Sequence, residues 1–160
     1  MISNPLREID QKVDKIIAQN QRPLDIQAFN SITSLGSAYF TLILIGIFWS
    51  FEKMVIARQI LLGMIAAGIL IYVLKYTIRR RRPEKHEENV LSRASFPSGH
   101  SGNAFMTGII LSHHFGQSSI FMALALTVAF SRVYLEDHFL SDVMAGSLVG
   151  LITGLILITV

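Results

Sequence analysis

Three clusters of polar residues interrupt an otherwise apolar chain, and their residue types suit the transfer of a phosphoryl group. In chain order they are Lys75 with Arg82-Pro83, then Pro97-Ser98-Gly99-His100, then Ser131-Arg132 with His138 and Asp142. A phosphate dianion has to be gripped by cations and by backbone N–H groups. A nucleophile has to attack in line, and the leaving oxygen has to be protonated. The three clusters contain a candidate for each of these tasks.

The anion would be held by cations and by the start of a helix. Lys75, Arg82 and Arg132 supply three positive charges. The Pro-Ser-Gly sequence directly before an apolar segment is typical of a helix N-terminus, where free N–H groups and the helix dipole favour an anion. Ser98 can add a hydroxyl group there, and Gly99 lets the backbone approach the phosphate closely. We therefore expect these five residues to bind phosphate.

The nucleophile and its helper are predicted in the third cluster. His138 and Asp142 are four residues apart and share one face if the segment is helical. Asp142 can hold one imidazole nitrogen and leave the other free to attack. His100 remains as the acid for the leaving group. Two other interpretations are a structural histidine with its hydrogen-bond partner, and a zinc site formed by all three side chains. The neighbouring cations disfavour the zinc site, because they would repel a divalent metal unless phosphate bound first.

The composition places the chain in a membrane. Of its 160 residues, 51% are apolar and 16% are charged, against roughly 25% charged in soluble domains. The mean hydropathy is +0.49. The chain has no cysteine, which excludes disulfides and a thiol nucleophile. We expect a single domain over residues 1–160 whose partner is the lipid bilayer, with no nucleic acid, no metal and no cofactor.

Apolar segments define the expected fold. They run from about Leu35 to Phe51, Val55 to Tyr76, Ser101 to Phe115, Ser118 to Val133 and Ser141 to Val160. A helix that crosses the hydrocarbon core needs roughly 20 residues, so the third and fourth segments are marginal alone. We interpret them as a buried hairpin that turns within residues 113–119. The prediction is an all-α, polytopic membrane helical bundle with about five transmembrane helices in residues 35–160. His113 and His114 would be turn residues.

Residues 1–23 are predicted to form an N-terminal amphipathic helix. Asn4 followed by Pro5 is typical of a helix start. The apolar side chains expected on one face are Leu6, Ile9, Val13, Ile16 and Ile17, with Asp10 assigned to the charged remainder. This helix would lie in the membrane interface or pack against the body of the protein.

The two polar loops, residues 79–97 and 132–142, lie on the same side of the membrane if the segments alternate in direction. Arg79 to Arg81 are interpreted as charges that anchor the membrane boundary. Glu136 and Asp137 are assigned to a solvated loop. Lysine and arginine are more numerous on this side, which by the positive-inside rule would make it cytoplasmic. Part of that charge belongs to the predicted site and to the surface helix, so the charge count alone does not determine the orientation.

The three clusters resemble the signature of the type 2 phosphatidic acid phosphatase (PAP2) superfamily. The resemblance covers residues 75–142, with the order and internal spacings of the signature intact. It implies a metal-independent phosphomonoesterase or diphosphatase with a helical core. It also implies that His138 is the nucleophile, that Asp142 orients it and that His100 is the general acid. The implied phosphate ligands are Lys75, Arg82, Ser98, Gly99 and Arg132. Because bacterial members of this superfamily mostly work on the outer side of the inner membrane, the resemblance also implies a site that faces outward from a bacterial inner membrane.

The expected function is hydrolysis of a lipid phosphate through a phosphohistidine. Phosphatidic acid, phosphatidylglycerophosphate, undecaprenyl diphosphate and a lipid A-type glycolipid are equally compatible with the motifs. One alternative is a non-catalytic protein that binds or transports anionic lipids, but it would not need a histidine backed by a carboxylate. Another is vanadate-dependent halogen oxidation, which the resemblance associates with large soluble enzymes. The motifs do not predict an oligomeric state.

Overall fold

A computed structural model describes residues 5–83 and 94–159. Within these two ranges the chain forms seven α-helices and no β-strand, which confirms the predicted all-α bundle. The helices are α1 (Pro5–Asn20), α2 (Pro23–Thr33), α3 (Ala38–Ser50), α4 (Met54–Ile78), α5 (Gly99–Phe115), α6 (Ser118–Tyr134) and α7 (Leu140–Ile158), with a 3₁₀ turn at Ser34–Gly36. The predicted helix cap at Asn4 lies outside the described residues.

The helices α3 to α7 occupy the five predicted apolar segments. Within the described ranges, α4 and α7 are each long and apolar enough to cross a bilayer. Residues 23–36 together with α3 make a third candidate span, bent by 53°. The bend follows from Ser37, which has an extended backbone and caps α3 by accepting a hydrogen bond from the Phe40 N–H. The predicted hairpin is observed, since α5 ends at Phe115 and α6 begins at Ser118.

The centre of the bundle is the contact between α5 and α7, where two backbones touch. A methyl group added at Gly150 would overlap the carbonyl oxygen of Gly102, and one added at Gly146 would overlap the carbonyl oxygen of Ser98. Small residues permit such close helix packing in lipid. Around this contact Ile60, Met106 and Ile110 form a fully buried core. The close approach therefore fixes the start of α5 against the start of α7.

The sequence analysis did not predict α2. It begins at Pro23, a residue that is favoured in the first turn of a helix and could have indicated it. It packs on α6 through Phe29, and the centroids of the Phe29 and Tyr134 rings are 4.6 Å apart. The Tyr134 hydroxyl donates a 3.1 Å hydrogen bond to Asp25. These contacts hold the first half of α2 against the end of α6, next to the second polar loop.

The N-terminal helix is observed as α1, but its buried face differs from the prediction. Val13 and Ile17 pack against the body of the protein, whereas Leu6 and Ile16 are exposed. Asp10 is buried, with only 3% of its surface exposed, although it was assigned to the charged side. On a helical wheel Asp10 is adjacent to Ile17, so the packed face contains a carboxylate.

Candidate active site

The first polar cluster begins where α4 ends. Arg79 has a φ of 49°, in the left-handed region, and this conformation ends the helix. After this turn, Arg80 and Arg81 pair through their backbones with the segment that leads into α5, at Ser95 and Ala94. In the last turn of α4, Lys75 Nζ donates a 2.5 Å hydrogen bond to the carbonyl oxygen of Ala94. The cluster is thereby joined to the segment that leads into α5.

The second cluster starts α5, as predicted. Ser98 is the helix cap, and its Oγ accepts a 3.0 Å hydrogen bond from the Ser101 hydroxyl. The Ser98 N–H donates a 2.9 Å bond to the carbonyl oxygen of Asp142, which ties this cluster to the third one. A methyl group added at Gly99 would contact nothing within 4 Å. The space beside the Gly99 backbone is therefore open, which permits the close approach of an anion that was predicted for this helix start.

Arg132 and Arg82 both contact protein side chains through their terminal nitrogens, while the Nε atom of each has no partner in the protein. Arg132 donates through Nη1 to the Thr33 hydroxyl at 2.9 Å and pairs through Nη2 with Asp137 at 2.9 Å. Arg82 Nη1 lies 3.7 Å from the same carboxylate. The Nε atoms of both arginines are buried and have no hydrogen-bond partner. Because buried donors are nearly always paired, this arrangement is suited to an incoming anion.

The third cluster places a buried histidine beside a buried carboxylate. His138 is 3% exposed and Asp142 is fully buried. His138 Nδ1 lies 3.8 Å from Asp142 Oδ2 and has no hydrogen-bond partner. Burial lowers the pKa of His138 to about 4; Asp142 opposes this shift, and the charges of Arg132 and Arg82 add to it. The imidazole is therefore neutral near pH 7, as a nucleophile must be.

The structure brings most of the predicted site residues together. Arg82 and Arg132 both contact the carboxylate of Asp137. The backbone N–H of His138 donates to the carbonyl oxygen of Arg132. Asp142 contacts His138 through its side chain and the second cluster through its carbonyl oxygen. His100 lies in the first turn of α5, directly after Gly99, and is half-buried. Its backbone packs against Gly36 of the 3₁₀ turn.

His113 and His114 lie at the opposite end of α5. His114 Nε2 is 2.7 Å from Gln59 Oε1, a contact within the bundle that is remote from the polar loops. With 17 residues, α5 is about 25 Å long, which separates these histidines from the catalytic cluster. They belong to the last helical turn of α5 and not to the connection with α6, but their distance from the polar loops agrees with the expectation that they are not catalytic.

Four residues of this region were not predicted from the sequence. Thr33 and Asp137 hold the arginines, and Asp137 is thus more than a solvated loop residue. Arg80, interpreted as a membrane anchor, instead pairs with Asp142 at 2.8 Å and with Asp10 at 2.6 Å. No local pattern marks Thr33, Arg80 or Asp10, because their contacts join segments that are far apart in the sequence. Asp137 is only five residues from Arg132, but a carboxylate in a polar loop does not by itself indicate an ion pair.

Comparison with known proteins determines the family. The sequence profile described as PAP2 superfamily matches residues 56–160. The chain belongs to the PAP2 superfamily. It is 30% identical over 167 residues to phosphatidylglycerophosphatase B of Bacillus subtilis, an alignment that covers 94% of the chain and 82% of the relative.

Solved structures of PAP2 proteins have the same fold. The transmembrane PAP2-type phosphatidylglycerolphosphate phosphatase from Bacillus subtilis superposes with a TM-score of 0.84 at 30% identity, covering 99% of this chain and 87% of that one. LpxE of Aquifex aeolicus superposes with a TM-score of 0.82 at 28% identity, covering 94% of each chain. These findings confirm the predicted class, an integral membrane PAP2 phosphatase.

Proposed function

We propose that this lipid phosphatase transfers the phosphoryl group of a membrane lipid to Nε2 of His138 and then to water. The His138 Nδ1 atom is the nitrogen nearer to Asp142, so Nε2 is the one left for attack. The arginines that flank the histidine would bind the phosphate oxygens through their unpaired Nε–H groups. This juxtaposition of a buried neutral imidazole with two unpaired guanidinium donors is the observation that carries the proposal.

In the first step, Nε2 forms a bond to phosphorus while the bond from phosphorus to the lipid oxygen breaks. Burial and the charge of Arg132 lower the pKa of His100 to about 3. The bound phosphate dianion opposes this shift, so His100 would take up a proton with the substrate and then give it to the departing oxygen. The imidazole of His138 becomes cationic as the P–N bond forms, and the Asp142 carboxylate stabilises this charge. Lys75, Arg82 and Arg132 offset the charge that develops on the phosphoryl oxygens.

In the second step, water attacks phosphorus and the P–N bond breaks. His100, now without its proton, accepts a proton from the water, and His138 returns to its neutral form. Inorganic phosphate leaves and both histidines are restored. The Ser98 hydroxyl and the Gly99 N–H at the start of α5 would hold the phosphoryl oxygens in both steps.

We infer that phosphatidylglycerophosphate is the first substrate to test. A relative and a solved neighbour whose names specify this activity match almost the whole chain. Phosphatidic acid, undecaprenyl diphosphate and a lipid A-type phosphate share the phosphate that the site would grip, and they are the necessary comparators. The polar loops would face outward from a bacterial inner membrane, with the phosphate of the lipid at the level of the α5 N-terminus.

A substrate panel tests the proposal. Purified protein in detergent would be given each of the four lipids, and phosphate release would be followed to obtain kcat/KM. We expect release from at least one lipid and the highest kcat/KM for phosphatidylglycerophosphate. A higher value for another lipid would reassign the substrate. No release from any of them by folded protein would favour the non-catalytic binding alternative.

A further inference from the structure

Asp10 is a buried carboxylate that the proposed reaction does not use. It lies on α1, a helix whose exposed side contains Leu6 and Ile16. Burial by itself would raise the pKa of Asp10, but hydrogen bonds from Ser141 and Arg80 outweigh it and hold the pKa below its usual value. The carboxylate is therefore charged, and its partners lie next to the catalytic residues.

Asp10 completes the N-terminus of α7. The residue at the cap position of that helix is Phe139, whose side chain has no hydrogen-bond acceptor. Asp10 supplies the acceptor from another helix: its Oδ1 accepts the Ser141 N–H at 3.0 Å, and its Oδ2 accepts the Ser141 hydroxyl at 2.6 Å. The first turn of α7, which includes Asp142, is thus fixed by a residue of α1.

Arg80 connects this cap to the catalytic carboxylate. Its Nη2 donates to Asp10 at 2.6 Å, and its Nη1 donates to Asp142 Oδ1 at 2.8 Å. The guanidinium carbon also lies 4.2 Å from the centre of the Phe139 ring. The other oxygen of Asp142 accepts the Phe139 N–H at 3.0 Å. Both oxygens of Asp142 are therefore oriented by contacts other than His138.

We propose that Arg80 and Asp10 are positioning residues for Asp142, and that α1 is in this way a part of the active site. This inference rests on the proposed function, because Asp142 must assist His138 for its orientation to matter. Arg80 prevents rotation of the carboxylate, and Asp10 fixes Arg80 together with the helix turn that contains Asp142. Substrate binding is left to Arg82 and Arg132.

The test compares Arg80→Gln and Asp10→Asn with two control variants of exposed neighbours, Arg81→Gln and Glu8→Gln. We expect kcat to fall by about 10- to 100-fold in the first pair, with KM changed by less than about threefold, because supporting contacts of a site typically have effects of this size. Arg80→Lys should recover part of the loss, since it keeps the charge. The controls should keep the wild-type kcat.

A double variant distinguishes positioning from a general loss of structure. If Arg80 acts through Asp142, then Arg80→Gln combined with Asp142→Asn should be no slower than Asp142→Asn alone. Multiplicative losses would overturn the inference. The inference would also be overturned if Arg80→Gln and Asp10→Asn both kept the wild-type kcat while Asp142→Asn had a lower kcat. If Arg80→Gln does not fold, Arg80→Lys and Asp10→Asn provide the same comparison.

These outcomes are separable from a failure of the proposed function. If Asp142→Asn itself keeps the wild-type kcat, the role of Asp142 is wrong and the positioning role falls with it. If Asp142→Asn is slow and Arg80→Gln is not, the reaction scheme stands and only the role of α1 is overturned.

Discussion

Nδ1 of His138 lies 3.8 Å from Oδ2 of Asp142, with both side chains buried. This distance exceeds that of a normal hydrogen bond. The carboxylate is already oriented by the Phe139 N–H and by Arg80, so it is in place before the histidine acquires charge. Catalytic hydrogen bonds often shorten in the substrate complex. We expect this contact to shorten when the imidazole becomes cationic.

Asp142→Asn should therefore lower kcat while leaving substrate binding nearly intact. The amide cannot stabilise an imidazolium, and losses of about 100- to 10,000-fold are typical when such a carboxylate is removed. KM should change by no more than a few-fold, because the arginines are unaffected. Glu52→Gln is a matched control, since Glu52 is exposed between α3 and α4, at the opposite end of the bundle from the site. A kcat of Asp142→Asn equal to that of the wild type would refute its role.

Thr33→Val should weaken phosphate binding. Its hydroxyl accepts from Arg132 Nη1 at 2.9 Å, and a hydrogen bond to a charged group contributes about 1.5–3 kcal/mol. We expect KM to rise about tenfold, with a smaller change in kcat, as measured by steady-state kinetics. Thr127→Val, which removes a hydroxyl bonded only within α6, should leave KM unchanged. Equal KM values for the two variants would argue against the Arg132 contact.

The buried His138 should make stability depend on pH. Its pKa is about 4 in the folded protein and near 6.5 when unfolded. Between these values the unfolded state binds more protons, so stability is lost as the pH falls through this window. The loss attributable to His138 should be on the order of 2–3 kcal/mol. His138→Gln should therefore lose less stability on acidification than the wild type, as measured by thermal unfolding in detergent.

The control for this experiment is His113→Gln, because His113 is exposed at the opposite end of α5. Its pH dependence should match that of the wild type. Parallel curves for His138→Gln and the wild type would mean that the imidazole does not have the lowered pKa.

Gly150→Ala should destabilise the bundle, because the added methyl group overlaps the backbone of Gly102. Overpacking of this kind costs about 1–3 kcal/mol. Gly68→Ala is a suitable control, since a methyl group there would meet nothing within 4 Å. We expect a lower unfolding temperature for the first variant and no decrease for the second. The contact between α5 and α7 would be in doubt if both variants melted like the wild type.

The proposed outward orientation can be measured because the chain has no cysteine. Lys12→Cys places a thiol on exposed α1, on the side of the polar loops, and Lys53→Cys places one between α3 and α4. A maleimide that cannot cross membranes should label the first variant in intact cells and the second only after lysis. The reverse result would place the site in the cytoplasm.

Local sequence patterns predicted the structural elements that depend on interactions between residues close in the sequence. The helix start at Ser98 and the hairpin between α5 and α6 follow from neighbouring residues. His138 and Asp142 do lie side by side, but His138 precedes α7, so they do not share the helical face from which their proximity was predicted. Asp10 was assigned to the wrong side of its helix because its partner, Ser141, is 131 residues away. A buried charge is recognisable only once its partner is known.

The boundaries of the first predicted span were less accurate for a similar reason. The apolar run from Leu35 suggested one continuous helix, but the structure has a 3₁₀ turn followed by α3. Ser37 supplies a helix cap near the start of the run, and a hydropathy average does not detect such a cap. That interruption also lets Gly36 pack against His100, so the departure from a regular span contributes to the candidate site.

The most direct test of the central claim is to trap the phosphorylated enzyme. His100→Asn should still be phosphorylated by a radiolabelled substrate with an acidic leaving group, which needs no proton from His100. It should hydrolyse the adduct slowly because water is no longer activated. We predict an acid-labile, base-stable label in this variant, with EDTA present. No label should form when His138→Ala is added to the same background. Label that persists without His138, or a folded His100→Asn variant that turns over this substrate without any adduct, would contradict the phosphohistidine mechanism.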